Sequence, residues 1–174
     1  MEENILCVAY EVTNKDQRDM PFSIGAHPAF FIPRIIDKQM QEYHLIFDQP
    51  ETLERQFIVE GLRNGDRKTV LENEKKLSLH PKLFEQDALI FKNYRSKTVS
   101  LIAQSDGKKL VEMNVADFPY LGIWQKVGAD YICIEPWYGI ADTHDFAGEL
   151  KDKEGIIVLK PDDHFRCSYD IRFY

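Results

Sequence analysis

Two short stretches carry the side chains best placed for proton chemistry. In "GAHPAF", residues 25–30, a histidine stands between a small, flexible pair and a proline. A residue before proline is pushed into extended geometry, so the His27 backbone is restricted. Gly25 permits a close approach or an unusual dihedral beside it. In "CIEPWYG", residues 133–139, Glu135 ends an apolar run and is followed by Pro136 and Trp137. A carboxylate there is partly stripped of water, which raises its pKa toward the working range of a general base. One imidazole and one carboxylate, each stiffened by a following proline, make a proton donor and a proton acceptor held apart by a rigid frame. Each residue also has a plainer local reading. His27 could be a turn histidine bonded to a backbone carbonyl, and Glu135 a strand-end acid turned to solvent or paired with Lys or Arg.

Aromatic residues cluster around these stretches: Phe30, Trp124, Trp137 and Tyr138. Aromatic faces beside polar groups suit a sugar ring, whose axial hydrogens stack while its hydroxyls bond; core packing is the other fate of any one tryptophan. The expectation is that the fold brings His27 and Glu135 to opposite rims of a shared, hexose-sized hollow. Other chemistry is poorly represented. The chain has no glycine-rich phosphate loop, no paired CxxC and no GxSxG. His27, His44, His80, His144 and His164 lack the spacing of zinc ligands, and "DDH" at 162–164 reads as a polar turn after Pro161. No metal and no cofactor are expected.

The elements that must position these residues are strands. Phe165, Cys167, Tyr169, Ile171 and Phe173 alternate with Arg166, Ser168, Asp170 and Arg172, the period of a half-buried strand. "ILCVAYEV", with Leu6, Val8, Tyr10 and Val12 on one face, "TVSLIA" and "LVEMNV" alternate in the same way. "YHLIFD", "ERQFIV", "ALIFK", "YLGIWQ", "YICIE" and "GIIVLK" are further candidates. "RNGD" at 63–66 and "SDGK" at 105–108 are hairpin turn signals. Only "HPKLFEQ" at 80–86 offers one short helix, with Pro81 at its first position. "ELKDKEG" at 149–155 reads as a charged, solvated loop. Many short strands between turns define an all-β chain, an antiparallel sandwich or barrel, read as a single domain over residues 1–174.

The charge balance, 22 basic against 29 acidic side chains and a net charge of -7, argues against a nucleic-acid or anionic-membrane surface. No apolar run is long enough to span a bilayer, and "MEENILCVAY" has no signal-peptide character. Cys7, Cys133 and Cys167 are odd in number and lie in apolar runs, as buried thiols in a reducing compartment would. The expected location is the cytoplasm.

"MPFSIGAHPAFFIP" and "CIEPWYGIAD", together with "LFEQDALIFKN" and "FPYLGIWQK", resemble the aldose 1-epimerase (galactose mutarotase) family, in particular its bacterial branch of mutarotase-related proteins. The motifs follow the family's order over nearly the whole chain. The resemblance implies a galactose mutarotase-like β-supersandwich and interconversion of the α and β anomers of a free hexose. It implies that His27 protonates the ring oxygen, that Glu135 takes the proton of the anomeric hydroxyl, and that Asp87 binds sugar hydroxyls. Trp124, Phe30 and Trp137 are the candidate sugar-contacting aromatics. Family members are longer, so the chain resembles an N-terminally truncated domain, without the strands, arginine and second histidine of the preceding part. Unpaired sheet edges would then favour a homo-oligomer. A phosphorylated hexose would need a basic cluster, for which Arg18, Arg34 and Lys126 are scattered candidates. The alternative function is a carbohydrate-binding module with weak or no turnover.

Overall fold

The computed structural model describes residues 4–32 and 42–174. Twelve strands account for most of them. β1 (Ile5–Thr13), β2 (Met20–Phe22) and β3 (Ala29–Phe31) are followed by two long strands, β4 (Tyr43–Val59) and β5 (Leu62–Ser78). The remainder are β6 (Leu89–Lys92), β7 (Thr98–Ala103), β8 (Lys109–Asn114), β9 (Tyr120–Trp124), β10 (Tyr131–Trp137), β11 (Ile157–Leu159) and β12 (His164–Phe173).

Ten strands form one antiparallel sheet in the order β1-β12-β8-β7-β4-β6-β9-β10-β3, with β5 also paired to β4; β2 and β11 make a separate ribbon. Cys167, Tyr169 and Ile171 near one end of this path share a buried core with Phe30, Ile132 and Ile134 at the other. The sheet therefore curls back on itself into two packed layers. The alternation of β12 holds at its centre, where Cys167, Tyr169 and Ile171 are buried, but fades at its ends, where Phe165 is half-buried and Phe173 exposed. In the edge strand β1, Val8 and Tyr10 pack against the core while Leu6 is half exposed. Cys133 and Cys167 are buried but Cys7 is exposed, because an edge strand covers only one of its faces. No helix among the described residues is long and apolar enough to cross a membrane.

The hairpin between β4 and β5 departs from expectation. "RNGD" is not its turn but lies inside β5. The chain reverses four residues earlier than Asn64 and Gly65, at Glu60 and Gly61, whose φ values of 52° and 83° are those of a two-residue turn matched to strand twist. "RNGD" instead forms a bulge: Ile58 faces Arg63 and Gln56 faces Arg67, so three residues on β5 oppose one on β4. Gly65, at φ 86°, and the Asn64 side chain, which accepts from the Asp66 N–H at 3.0 Å, hold the bulge. "YHLIFD" and "ERQFIV" fuse into β4, whose first part pairs with β7 and whose Gln56 pairs with β6. "SDGK" does close the β7–β8 hairpin, and "HPKLFEQ" shortens to a single 3-10 turn at Pro81–Leu83.

Candidate active site

Directly opposed residues of antiparallel strands put their side chains on the same face. Glu135 on β10 opposes Gly122 on β9, Gly122 opposes Ile90 on β6, and Ile90 opposes Gln56 on β4. The same face carries Cys133 opposite Trp124 and Trp137 opposite Tyr120. Phe30 opposes Ile132, one residue out of step, and is buried in the core on the other face. It offers no surface to a ligand; Phe31, its exposed neighbour, stands opposite Tyr131 instead.

His27 reaches Glu135 because its loop is zipped to the end of β10. The Ala26 N–H donates to the Pro136 carbonyl at 3.0 Å, and the Tyr138 N–H donates to that of Ile24 at 2.9 Å. The Ile134 N–H donates to the Pro28 carbonyl at 3.3 Å, leaving His27 between these ties. The indole N–H of Trp137 donates to the Ala26 carbonyl at 3.2 Å. Gly25 is required for that approach: a Cβ there would lie 2.5 Å from Cδ1 of Trp137. Gly122 is required at the far end of the same ring, where a Cβ would lie 2.5 Å from Cη2.

The imidazole Nε2 stands 3.4 Å from Oε1 of Glu135; the histidine side chain is 61% exposed and the glutamate 2%. The two groups are thus neighbours rather than an acid and a base on opposite rims. Oε1 of Glu135 is buried and has no hydrogen-bond partner. Burial above all, and then the charge of Asp87, push the Glu135 carboxyl up to about 7, against a lowering contribution from Trp137. The Asp87 residue is exposed in the turn before β6, with a left-handed φ of 68°, and its Oδ1 accepts from the Ala88 N–H at 2.7 Å. Trp124 meets the His27 ring edge to face at 5.7 Å between centroids, and both tryptophans are half-buried.

Beside the pair lies a cavity of about 440 Å³ lined by His27, Trp137, Ser23, Gly25, Gly139 and Lys153, within the range that small ligands occupy. Neither Arg18 nor Lys126 is among its lining residues, and Arg34 lies outside the described residues. The lining cation is Lys153, whose Nζ is 3.5 Å from Oδ2 of Asp142. Glu154, from the segment read as a solvated loop, instead accepts from the buried Arg63 at 2.7 Å and also from Lys92.

Donor atoms of His27, Cys133 and Glu135 lie within 4.8 Å of one another and could in principle hold a cation. Burial and the Glu135 charge push the Cys133 thiol up to about 12, and a protonated thiol is a poor ligand. Cys133, Gly122, Arg63 and Lys153 were not legible as site residues, because only strand register and loop packing bring them here.

Fold and site together define a galactose mutarotase-like β-sandwich with a carboxylate–imidazole pair on one sheet face. The aldose 1-epimerase family profile matches residues 1–157. The plasmid-borne protein LacX of Lactococcus lactis subsp. lactis is 34% identical over 167 residues, 93% of this chain and 56% of that protein. Among solved structures, a galactose mutarotase related enzyme from Lactobacillus acidophilus gives a TM-score of 0.89 at 29% identity, over 100% of this chain and 59% of that one. A galactose mutarotase-like protein from Lactobacillus casei ATCC 334 gives 0.88 at 26% identity, over 99% and 60%. The chain belongs to the aldose 1-epimerase family and spans about half the length of the curated relatives it matches.

Proposed function

We propose that the protein interconverts the α and β anomers of a hexose by acid–base opening and closure of the ring. The observation that carries this reading is the buried Glu135 carboxyl, its Oε1 without a hydrogen bond and 3.4 Å from an exposed imidazole, with burial pushing the group up to about 7. The ring oxygen and the anomeric hydroxyl of a hemiacetal are bonded to the same carbon. A base for one and an acid for the other must therefore both reach the surroundings of one carbon, which two groups 3.4 Å apart can do, and this supports His27 and Glu135 as that couple. Glu135 takes the hydroxyl proton as the bond from the anomeric carbon to the ring oxygen breaks, and His27 gives a proton to the ring oxygen. The open-chain aldehyde turns about its bond to the next carbon, and the reverse transfers close the ring on its other face. Each positioned group contributes about 100- to 10,000-fold. Trp124 and Trp137 supply apolar faces, and Asp87 supplies an acceptor for hydroxyls.

Polarimetry on fresh α-glucose and α-galactose tests the reading. The rate should exceed that of buffer, and kcat/KM on its acid limb should climb as Glu135 ionises, with a midpoint near 7. A rate equal to buffer removes the enzyme. Sugar-dependent quenching of tryptophan fluorescence in that same sample would assign a binding module instead. The outer edges of β1 and β3 have no further strand among the described residues, which supports pairing with a second copy. Light scattering at micromolar concentration checks this, and a monomer counts against it.

A further inference from the structure

Arg55 lies on β4, away from the proposed reacting atoms, yet it is only 5% exposed and all its described hydrogen bonds serve one short segment. Its Nη1 donates to the Leu83 carbonyl at 3.0 Å. Its Nη2 meets the carbonyls of Gln86, Asp87 and Ala88 at 2.5, 3.2 and 3.2 Å. The guanidinium also sits over the Phe57 ring, 4.5 Å from its centroid, which fixes its plane. A turn without its own ladder has carbonyls that must find donors, and a planar fork is the side chain that can serve several at once. Asp87 occupies a left-handed conformation, which a non-glycine residue keeps where its surroundings hold it.

We propose that Arg55 is a positioning residue: by gripping the backbone of residues 83–88 it sets where the Asp87 carboxylate stands relative to Glu135. The proposal rests on the anomer-exchange reading only for what the positioned carboxylates are used for. Among the described residues, few titratable groups act on Glu135. His27 comes from the loop before β3 and Cys133 from its own strand, β9 opposes it with the side-chain-free Gly122, and the charge of Asp87 acts on it from the turn before β6. Asp87 is thus the anionic neighbour, and moving it should change Glu135 without touching its burial.

The test is a double-mutant cycle of Arg55→Lys and Asp87→Asn, read by the titration midpoint of the Glu135 carboxyl in carbon-13 NMR, with Glu135→Gln for assignment. Lysine keeps the charge but cannot span four carbonyls. Either single variant should lower the midpoint, by up to about one pH unit, because a neighbouring anion is withdrawn or removed. The double variant should match Asp87→Asn alone. An Arg55→Lys protein that melts earlier but keeps the parent midpoint has lost only structure, and that overturns the proposal. So does a further shift of the midpoint in the Asp87→Asn background. Should Arg55→Lys not fold, relaxation of the parent backbone decides: amides 84–88 should be as rigid as those of β6, and a mobile turn overturns it. These readouts need no turnover. A protein that shows the shifts but no anomer exchange retains the positioning role and loses the proposed function.

Discussion

Glu135→Gln is expected to slow the proposed anomer exchange by about 100- to 10,000-fold, and at the same time to make the protein more stable above neutral pH. The two effects share a cause. Glu135 is 2% exposed, its Oε1 has no partner, and its carboxyl is pushed from 4.5 up to about 7. The folded state therefore holds the proton more tightly than the unfolded chain does. Below pH 4.5 both states are protonated and the carboxyl behaves much as an amide would. Between 4.5 and about 7 the unfolded chain ionises first, so the native protein loses stability as pH rises. Above 7 the full difference, on the order of 3 kcal/mol, weighs against folding. Glutamine never ionises and escapes it. Urea unfolding at pH 8 should show the variant with the higher midpoint, and at pH 4.5 the two proteins should nearly coincide. An equal gap at both pH values would show that the carboxylate is not strained by burial. A variant less stable at pH 8 would mean that the ionised group is stabilised by a partner.

How far this site could be read in advance depended on whether its signal was local. His27 and Glu135 stood out because proline and apolar neighbours are themselves local facts, and the β-sandwich because period-two alternation marks strands one at a time. β5 carries no such mark: over its seventeen residues only Arg63, Leu71 and Leu77 are buried, too few to write an alternation. Phe30 and Phe31 look alike as sequence neighbours until register assigns the first to the core and the second to the site face. The closeness of His27 to Glu135 was also beyond local reading. It follows from hydrogen bonds linking residues 24–28 to 134–138, which no property of either stretch announces. Gly25 and Gly122 acquire their necessity from the Trp137 ring laid against both, although Gly25 alone already hinted at a close approach.

Arg63→Ala should be the most damaging single change outside the proposed proton couple, costing about 3–5 kcal/mol. The residue was unremarkable in a sequence read as a turn, yet it is 5% exposed and joins three parts of the molecule. Its Nε donates to the Ala141 carbonyl at 2.7 Å, Nη1 to Oε1 of Gln56 at 2.8 Å, and Nη2 to Oε2 of Glu154 at 2.7 Å. Its backbone adds a bond from the Arg63 N–H to the Asp142 carbonyl at 2.7 Å, and accepts one from the His144 N–H at 3.0 Å. Truncation strands a buried amide oxygen and a carbonyl and leaves Glu154 with Lys92 alone as its ion-pair partner. Arg63→Lys keeps the charge, but one nitrogen cannot satisfy three separated acceptors, so it should recover less than half of the loss. Glu154→Gln should cost about 1 kcal/mol or less, since that carboxylate is 40% exposed and screened by solvent. Urea midpoints rank the three, and a Glu154→Gln loss as large as that of Arg63→Ala would place the energy in the ion pair rather than in the junction. The junction also bears on binding. Gly139, Ile140 and Ala141 form a wall of the cavity beside His27, and Arg63 grips the last of them. In Arg63→Lys the wall should slacken while His27 and Glu135 stay 3.4 Å apart, so KM for the hexose should rise with kcat largely kept. A fall in kcat at unchanged KM would instead connect this bulged strand to the proton couple itself.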